Sequence, residues 1–411
     1  MGAVECAFFS QSAPGVIVAF SISDRAQQLQ PSATLVVAEQ AAALRAQGID
    51  IIAMGAGEPD FDTPDHIKHA AILAIENNQT HYTAVDGTPE LKSAIIEKLQ
   101  RDNELRYSAD EIIVSCGAKH CIFNLMQAVL NPGDEVMIQA PYWVSYPDMA
   151  KLCGASPVII DCVEARGYKL SAAQLAAAVT DNTRLLVLNS PCNPTGMAFT
   201  AAELEELATA LRKHPDVYIM SDEIYESIYW GDEPLRNLLQ AAPDLRDRFF
   251  LINGVSKGYA MTGWRIGYAA GPSDVTKQMR KIQGQSTSNP CSIAQAAAAA
   301  ALGGDQSCID PMRDAFRSRQ SCVEQAIAAV PGVDLQPGQG TFYAFLDCRV
   351  AIEAQEEIGD DVQLCEFLLN QAHVALVPGT AFGAPGFIRM SYATSQDKIK
   401  QAVGRIAKAL S

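Results

Sequence analysis

The stretch that decides the fold is FFLINGVSKGYAMTGWRIGYAA, residues 249–270. It contains two short apolar runs, Phe249–Asn253 and Ile266–Ala270, on either side of a loop that carries Lys257 and Arg265. Short apolar runs bounded by glycine and polar residues are typical of buried strands. The intervening residues are too few for the usual helical crossover of a parallel pair, so we predict that these two strands run antiparallel.

Upstream of this stretch, further apolar runs alternate with helical patterns. Such alternation predicts an α/β fold, in which a mostly parallel sheet is covered by helices on both faces. Together with the antiparallel pair, this gives a mixed sheet of seven strands with one antiparallel strand. The five upstream strands are predicted at Ile112–Cys116, Glu135–Gln139, Pro157–Asp161, Arg184–Asn189 and Tyr218–Ser221, with helices such as His120–Leu130 and Ala201–Arg212 between them.

The pattern changes on both sides of this region. The N-terminal part has a helix at Leu35–Gln47 and a strand at Ile51–Ala53, and neither terminal part alone can bury a core. We therefore predict a small α+β domain from residues 24–65 plus 305–411, a large domain from 66–304, and an N-terminal extension, 1–23, of unassigned role. The C-terminal helices are predicted at Ile293–Leu302, Asp310–Ala329, Val362–Gln371 and Gln396–Leu410, and the strands at Thr341–Leu346 and Phe387–Tyr392.

Composition narrows the range of partners. The formal net charge of −16 disfavours nucleic acid and anionic membranes, and no apolar run is long enough to span a membrane. The 11 cysteines include no CxxC pair, so neither a disulfide framework nor a zinc site is expected. Val16–Phe20 is too short for a signal peptide and follows no basic segment. These features favour a cytoplasmic protein with free thiols and no metal.

Polar residues follow several predicted strands at the edge where open α/β sheets bind ligands. Residues 115–119, Ser-Cys-Gly-Ala-Lys, open a helix and could bind an anion through backbone N–H groups, although alone they would be an ordinary turn. Residues 189–196 form a rigid loop that could present Asn193. Asp222 ends another strand, and the absence of neighbouring His or Cys clusters disfavours a metal.

Lys257 is the candidate that gives these loops a chemistry. A lysine at the mouth of a buried sheet is uncommon because burial disfavours its charge, and the same burial makes the amine nucleophilic enough for a Schiff base. Ser256 and Arg265 beside it suit a phosphate. A single such lysine is more often a surface residue, but the other three loops argue against that alternative.

The string SKGYAMTGWRIGY at 256–268 resembles the Schiff-base signature of the class I and II aminotransferases, which are pyridoxal-phosphate enzymes of the aspartate aminotransferase fold. Asn193-Pro-Thr-Gly196, Asp222-Glu-Ile-Tyr225 and Gly57-Glu-Pro-Asp-Phe61 match the same family in the same order. Within that family, the chain is similar to the bacterial and plant-type aspartate or prephenate aminotransferases. The resemblance covers about residues 24–410 and makes the large domain cofactor-binding.

The resemblance implies roles for the residues that would hold the cofactor ring. Lys257 would bind the cofactor aldehyde and then move the proton, and Asp222 would pair with the ring nitrogen and keep it protonated. Asn193 and Tyr225 would bind the ring oxygen. Trp143 would stack on the ring, and the alternative is that it is a core or interface aromatic.

The resemblance also implies a phosphate site and a carboxylate site. Tyr82 matches a tyrosine that reaches the phosphate from the neighbouring subunit, which implies a homodimer with shared active sites. Arg389 would grip the substrate α-carboxylate as a bidentate fork, and Gly57 would offer a backbone contact. The remaining phosphate contacts would come from Gly117, Ala118, Lys119, Ser256 and Arg265.

Lys119 bears on substrate choice, because relatives use a lysine at this place near the distal carboxylate of the substrate. This favours transamination from L-aspartate to 2-oxoglutarate, which gives oxaloacetate and L-glutamate. The alternative is that the Lys119 side chain points to solvent and only its backbone is used. Many relatives have a basic residue where this chain has Gln30, so strict dicarboxylate preference, and prephenate use above all, is open to question.

Other functions stay open beside this one. Aromatic, neutral or prephenate substrates, and a lyase or synthase reaction on the same fold, would use the same loops. A regulatory protein with a degenerate enzyme fold is disfavoured because Lys257, Asp222, Arg265 and Arg389 are intact and no basic DNA-binding segment is present. A nicotinamide dehydrogenase is disfavoured because no GxGxxG follows an early strand.

Overall fold

The structure is a computed structural model that describes residues 21–29, 31–162 and 166–411. Gln30 and the first 20 residues of the predicted extension lie outside the described residues. The described strands are β1 (Ile52–Ala53), β2 (Ile112–Ser115), β3 (Glu135–Ala140), β4 (Ser156–Asp161), β5 (Thr183–Asn189), β6 (Tyr218–Asp222), β7 (Phe249–Gly254), β8 (Gly267–Ala270), β9 (Asp334–Leu335), β10 (Tyr343–Asp347), β11 (Val374–Ala375), β12 (Val377–Pro378) and β13 (Phe387–Ser391).

The helices cover the sheet and build most of the C-terminal part. Short 3-10 turns, such as the one at Thr262–Trp264, connect several elements. The α-helices are α1 (Asp24–Gln27), α2 (Ala33–Ala46), α3 (Asp65–Glu76), α4 (Pro89–Asn103), α5 (Ala118–Val129), α6 (Tyr146–Leu152), α7 (Ala172–Ala178), α8 (Ala201–Leu211), α9 (Leu238–Ala241), α10 (Ser273–Gly284), α11 (Ser292–Gly303), α12 (Ile309–Ile327), α13 (Arg349–Glu353), α14 (Asp361–Phe367) and α15 (Gln396–Leu410).

The central sheet has seven strands in the order β2-β8-β7-β6-β5-β3-β4. β8 runs antiparallel to both of its neighbours, whereas the pairs from β7 to β4 are parallel. The predicted fold class and the antiparallel pair at residues 249–270 are therefore confirmed. Strands β2, β7 and β8 are buried at every position, as expected for a sheet with helices on both faces.

The parallel order brings the predicted site loops together. In the register of the sheet, Asn189 pairs with Asp222, and Asp222 pairs with Ile252. The carboxyl ends of β5, β6 and β7 are therefore neighbours, and the loops with Asn193 and Lys257 start beside Asp222. This edge is where ligands of open α/β sheets bind.

The two terminal parts pair with each other. β1 is parallel to β11, so a strand near residue 52 joins one near residue 374. A four-stranded sheet follows in the order β12-β13-β10-β9, in which Phe345 pairs with Arg389. Its core contains Phe316 on α12, Phe342 and Tyr392, all fully buried.

The structure refines several predicted boundaries. The helix predicted at Val362–Gln371 is α14 followed by a π-helical segment at Leu368–Ala372. The strand predicted from Thr341 begins at Tyr343, because Thr341 has a left-handed φ of 69° that does not fit a strand. Within the described ranges, no helix combines the length and the apolar content needed to cross a membrane.

Candidate active site

Asp222 lies at the end of β6 with only 4% of its surface exposed. The Tyr146 hydroxyl donates to its Oδ2 at 2.6 Å, and the Ile224 backbone N–H donates to Oδ1 at 3.3 Å. Burial raises the Asp222 pKa to about 6, and both hydrogen bonds act to lower it. The carboxylate is therefore mostly ionised at neutral pH and held in one orientation, ready to face a cation.

Lys257 follows β7, and its partly buried amine donates a hydrogen bond to the Gly57 carbonyl oxygen. Its Nζ lies 5.8 Å from the ring centroid of Tyr225 and 5.9 Å from that of Phe342. Burial lowers the Lys257 pKa from 10.5 to about 8. A useful fraction of the amine is then neutral near physiological pH, which is what a nucleophile requires.

Arg389 is a guanidinium buried to 2% exposure in β13. Its Nη1 donates to the Asn193 side-chain oxygen at 3.0 Å and its Nη2 to the Gly55 carbonyl at 2.9 Å. Among the described residues its Nε has no hydrogen-bond partner. Burial lowers its pKa, which means that the positive charge is poorly solvated. An anion that faces the guanidinium would therefore stabilise this charge. A carboxylate supplies the matching geometry.

Tyr225 is within electrostatic range of both Arg389 and Asp222. Its hydroxyl oxygen is 2.9 Å from that of Tyr343, and the two rings meet at 75° with centroids 5.9 Å apart. Burial raises the pKa of Tyr225 well above its usual range, so the hydroxyl keeps its proton and can act as a donor.

The loop before α5 and the loop after Lys257 form a cradle. Gly117 has φ 90°, and a Cβ placed on it would lie 2.5 Å from Arg265 Nη2. A Cβ on Gly267 would lie 2.2 Å from the Ala118 backbone nitrogen. Gly117 caps α5 without a side-chain hydrogen bond, so the first N–H groups of the helix and Arg265 can share an anion. Ser256, which directly precedes Lys257 in the sequence, is also buried.

Trp143 and Lys119 lie next to Tyr146, the residue that donates to Asp222. The Trp143 ring packs edge-on against Tyr146 with centroids 5.2 Å apart, and Lys119 Nζ lies 4.8 Å from the Trp143 centroid. Burial, followed by the charge of Arg265, lowers the pKa of Lys119. Lys119 also lines a largely apolar cavity of about 630 Å³ between α2, α6 and the C-terminal part.

Tyr82 does not join these residues within one chain. Its side chain is 90% exposed. Contacts within the chain join other predicted residues in pairs: Lys257 with Gly57, Arg389 with Asn193, and Lys119 with Trp143. Among the described residues, no cluster of three or more potential metal ligands is present.

Sequence reasoning missed Tyr146 and Tyr343, although each bonds a predicted site residue. Both are buried tyrosines in apolar segments, so in the sequence they are indistinguishable from core residues. The one usable signal is that Tyr146 follows Trp143 by three residues, the spacing that places two side chains on the same face of a helical turn.

The fold and this pocket define an enzyme class. The chain belongs to the family described as aminotransferase class I and II, whose sequence profile matches residues 49–406. The family prediction made from the strand-end loops is confirmed.

Three proteins named as aspartate or aspartate/prephenate aminotransferases are similar to this chain over nearly its whole length. The aspartate/prephenate aminotransferase of Nitrosomonas europaea is 50% identical over 395 residues, covering 95% of this chain and 100% of the relative. The crystal structure of the aspartate aminotransferase from Rhizobium meliloti aligns with a TM-score of 0.92 at 45% identity, covering 95% of this chain and 99% of that one. The Thermus thermophilus aspartate aminotransferase with maleate aligns at a TM-score of 0.89 and 40% identity, over 95% and 100% of the chains.

Proposed function

We propose that this protein is a pyridoxal-phosphate-dependent aminotransferase that moves the amino group of L-aspartate to 2-oxoglutarate. The observation that carries the proposal is the convergence of Lys257, Asp222 and Arg389 at one edge of the sheet, beside an anion cradle. Family membership implies the cofactor, and the named relatives favour aspartate.

The described residues fit a phosphorylated pyridine aldehyde. The cradle at Gly117 admits no side chain, and its donors are backbone N–H groups and Arg265, which suit a phosphate. The ionised Asp222 would face the ring nitrogen, and Tyr225 and Asn193 would donate to the ring oxygen. When bound, the cofactor supplies an electron sink for the carbanion that forms at the substrate Cα.

The protein's own groups would then bind the substrate and move one proton. Arg389 would exchange its two neutral carbonyl partners for the α-carboxylate. Its Nε has no hydrogen-bond partner in the described part of the chain and would be available to complete a bidentate contact. The neutral Lys257 amine would take the proton from the substrate Cα, and the resulting ammonium would give it to the cofactor carbon that carried the aldehyde. Burial of these groups excludes water and strengthens each electrostatic contact.

Lys119 is the residue that we propose for the distal carboxylate of aspartate. Its amine is held over Trp143 at the edge of the pocket and has no carboxylate at salt-bridge distance among the described residues. Prephenate or an aromatic substrate is the second candidate, because Lys119 also lines the apolar cavity of about 630 Å³ and one relative is named for both substrates.

We also propose a homodimer in which Tyr82 completes the partner's phosphate site. Helix α3 exposes Ile72, Leu73 and Ile75 at 51%, 41% and 54%, and Tyr82 follows at 90%. Apolar groups so close together on a surface favour a protein interface.

We propose a small domain formed by residues 24–65 and 305–411 and a large domain formed by residues 66–304. The pairing of β1 with β11 supports this division, because it joins the two terminal parts.

A reducing, cytoplasmic setting is proposed because the ten described cysteines are free.

Borohydride reduction of the protein with pyridoxal phosphate, followed by peptide mass mapping, tests the function. We expect the reduced cofactor on Lys257 and no labelling in Lys257→Arg at equal cofactor concentration. Labelling of a different lysine would contradict the assignment. Steady-state rates with Lys119→Ala would then address specificity, since KM for aspartate should rise while KM for phenylalanine stays unchanged.

A further inference from the structure

Tyr343, at the start of β10, touches both halves of the pocket. Its hydroxyl is 2.9 Å from that of Tyr225, and its ring centroid is 4.3 Å from the guanidinium carbon of Arg389. Tyr343 is 1% exposed, and burial raises its pKa, so its hydroxyl stays protonated. One fixed side chain is therefore in contact with the two groups that serve different parts of the reaction.

The sheet register explains how one tyrosine reaches both. β10 and β13 are antiparallel, with Phe345 opposite Arg389 and Tyr343 opposite Ser391. Alternate residues of a strand share a face, so Tyr343 is a diagonal neighbour of Arg389 on that face. A second aromatic ring, that of Phe382, has its centroid 4.8 Å from the guanidinium carbon. The buried cation therefore has two aromatic rings as neighbours, and among the described residues it has no carboxylate at salt-bridge distance.

The Tyr343 hydroxyl also lies close to Gly57, the residue whose carbonyl accepts the hydrogen bond from Lys257. A Cβ on Gly57 would lie 3.3 Å from this oxygen, so the hydroxyl lies close to the Gly57 backbone. The Gly57 carbonyl accepts the hydrogen bond from Lys257. Tyr343 therefore also packs beside the segment that orients the amine.

We propose that Tyr343 is a positioning residue that serves the cofactor side through Tyr225 and the carboxylate side through Arg389. The inference rests on the proposed function, in which Tyr225 donates to the cofactor ring oxygen. Either hydroxyl of this pair can be the donor. We assign the shared proton to Tyr343, which leaves the Tyr225 proton for the ring oxygen and strengthens that bond by polarisation. The ring face of Tyr343 separately stabilises the guanidinium through a cation–π contact.

Two substitutions separate these contributions. Tyr343→Phe removes only the hydroxyl, so Tyr225 becomes a weaker donor to the ring oxygen. A hydrogen-bond donor to the ring oxygen stabilises the deprotonated form of the bound cofactor. A weaker donor therefore raises the pH midpoint at which the visible absorbance changes. We expect a rise of roughly 0.1–0.6 pH unit, because the substitution removes only the polarisation, about 10–30% of the hydrogen bond to the ring oxygen; KM for aspartate should be nearly unchanged.

Tyr343→Leu removes the aromatic face as well. We expect the same shift in the midpoint and, in addition, KM for aspartate raised by about five-fold because Arg389 loses a cation–π neighbour. Tyr392→Phe is the matched control: it is a fully buried tyrosine of the same core whose hydroxyl donates to the Thr341 carbonyl at 3.4 Å. It should change thermal stability by a similar amount and leave both the midpoint and KM in place.

The outcomes separate this inference from the function on which it rests. A wild-type midpoint that Tyr343→Phe does not move would overturn the inference and leave the proposed function intact. Equal KM values for the Phe and Leu variants would overturn the carboxylate half. A wild-type protein without any titrating visible band would overturn the proposed function, and the inference with it.

Discussion

At the scale of single residues, burial decides which charges the pocket can use. Asp222 and Lys257 are both shifted towards their neutral forms, with pKa values of about 6 and about 8. At neutral pH the acid is still mostly charged, whereas the amine has an accessible neutral form. This pairing of an ionised acid for the ring with a lysine that can become a base is what transamination needs.

Tyr146 gives a residue-scale prediction for pH dependence. Its hydroxyl lowers the Asp222 pKa, so Tyr146→Phe should raise that pKa by about one unit, the worth of a hydrogen bond to a charged group. A raised pKa means that Asp222 is protonated earlier as the pH falls. The loss of pyridoxal-phosphate affinity on the acid side should therefore begin about one unit higher than in wild type.

Fluorescence titration of cofactor-free protein across pH 5–8 measures this acid limb. Tyr107→Phe is the control, because the buried Tyr107 hydroxyl has no hydrogen-bond partner in the described part of the chain. An acid limb that is the same in Tyr146→Phe, Tyr107→Phe and wild type would contradict a role for the Tyr146 hydrogen bond.

At the scale of elements, the start of α5 is the most constrained feature of the pocket. Gly117 combines a left-handed φ of 90° with a Cβ direction that ends 2.5 Å from Arg265. Gly117→Ala should therefore displace Arg265 and lower cofactor affinity by at least ten-fold, roughly 1.4 kcal/mol. Equilibrium dialysis with pyridoxal phosphate measures the change.

Gly263→Ala is the matched control for this substitution. Gly263 lies in the loop between Lys257 and Arg265, but a Cβ there meets no atom within 4 Å and its φ is not left-handed. We expect cofactor affinity close to wild type. If both alanine variants lost affinity equally, loop flexibility rather than the shape of the cradle would be responsible.

The elements also mark what the sequence could predict. All seven strands of the main sheet were predictable, because each is a short apolar run bounded by polar or glycine residues. The two-residue strands β9, β11 and β12 were not predicted, since so short a segment carries no periodicity; β1 is equally short, but it was predicted at Ile51–Ala53 from its apolar residues. The loops with Asn193, Asp222 and Lys257 were predictable as neighbours because strand order alone brings parallel carboxyl ends together.

The contacts inside the pocket were much less predictable than its loops. No spacing in the sequence indicates that Arg389 donates to Asn193, almost 200 positions away, or that Tyr343 contacts both Tyr225 and Arg389. These contacts join residues of β10 and β13 to the loops that follow β5 and β6 in the main sheet. Sequence therefore gave the chemical groups, and tertiary packing supplied their partners.

At the scale of the whole molecule, the proposed homodimer makes the active site depend on association. A charge on the apolar face of α3 should prevent dimer formation, so the double variant Ile72→Glu/Ile75→Glu should sediment as a monomer. Because Tyr82 would no longer reach a partner's site, cofactor affinity should fall as well. Analytical ultracentrifugation and cofactor titration measure the two effects.

Val350→Glu is the control for added surface charge, since Val350 is 64% exposed on α13. It should leave sedimentation and cofactor affinity unchanged. A monomeric wild-type protein with full activity would contradict the proposed shared site.

We propose that Lys257, Asp222 and Arg389 carry out transamination on a bound cofactor. Visible spectra of the purified protein loaded with pyridoxal phosphate, first with L-aspartate and then with 2-oxoglutarate, test it most directly. We predict that aspartate removes the visible band with release of oxaloacetate, and that 2-oxoglutarate restores the band with release of glutamate. A band that aspartate leaves unchanged, or that is lost while ammonia is released, would contradict the account.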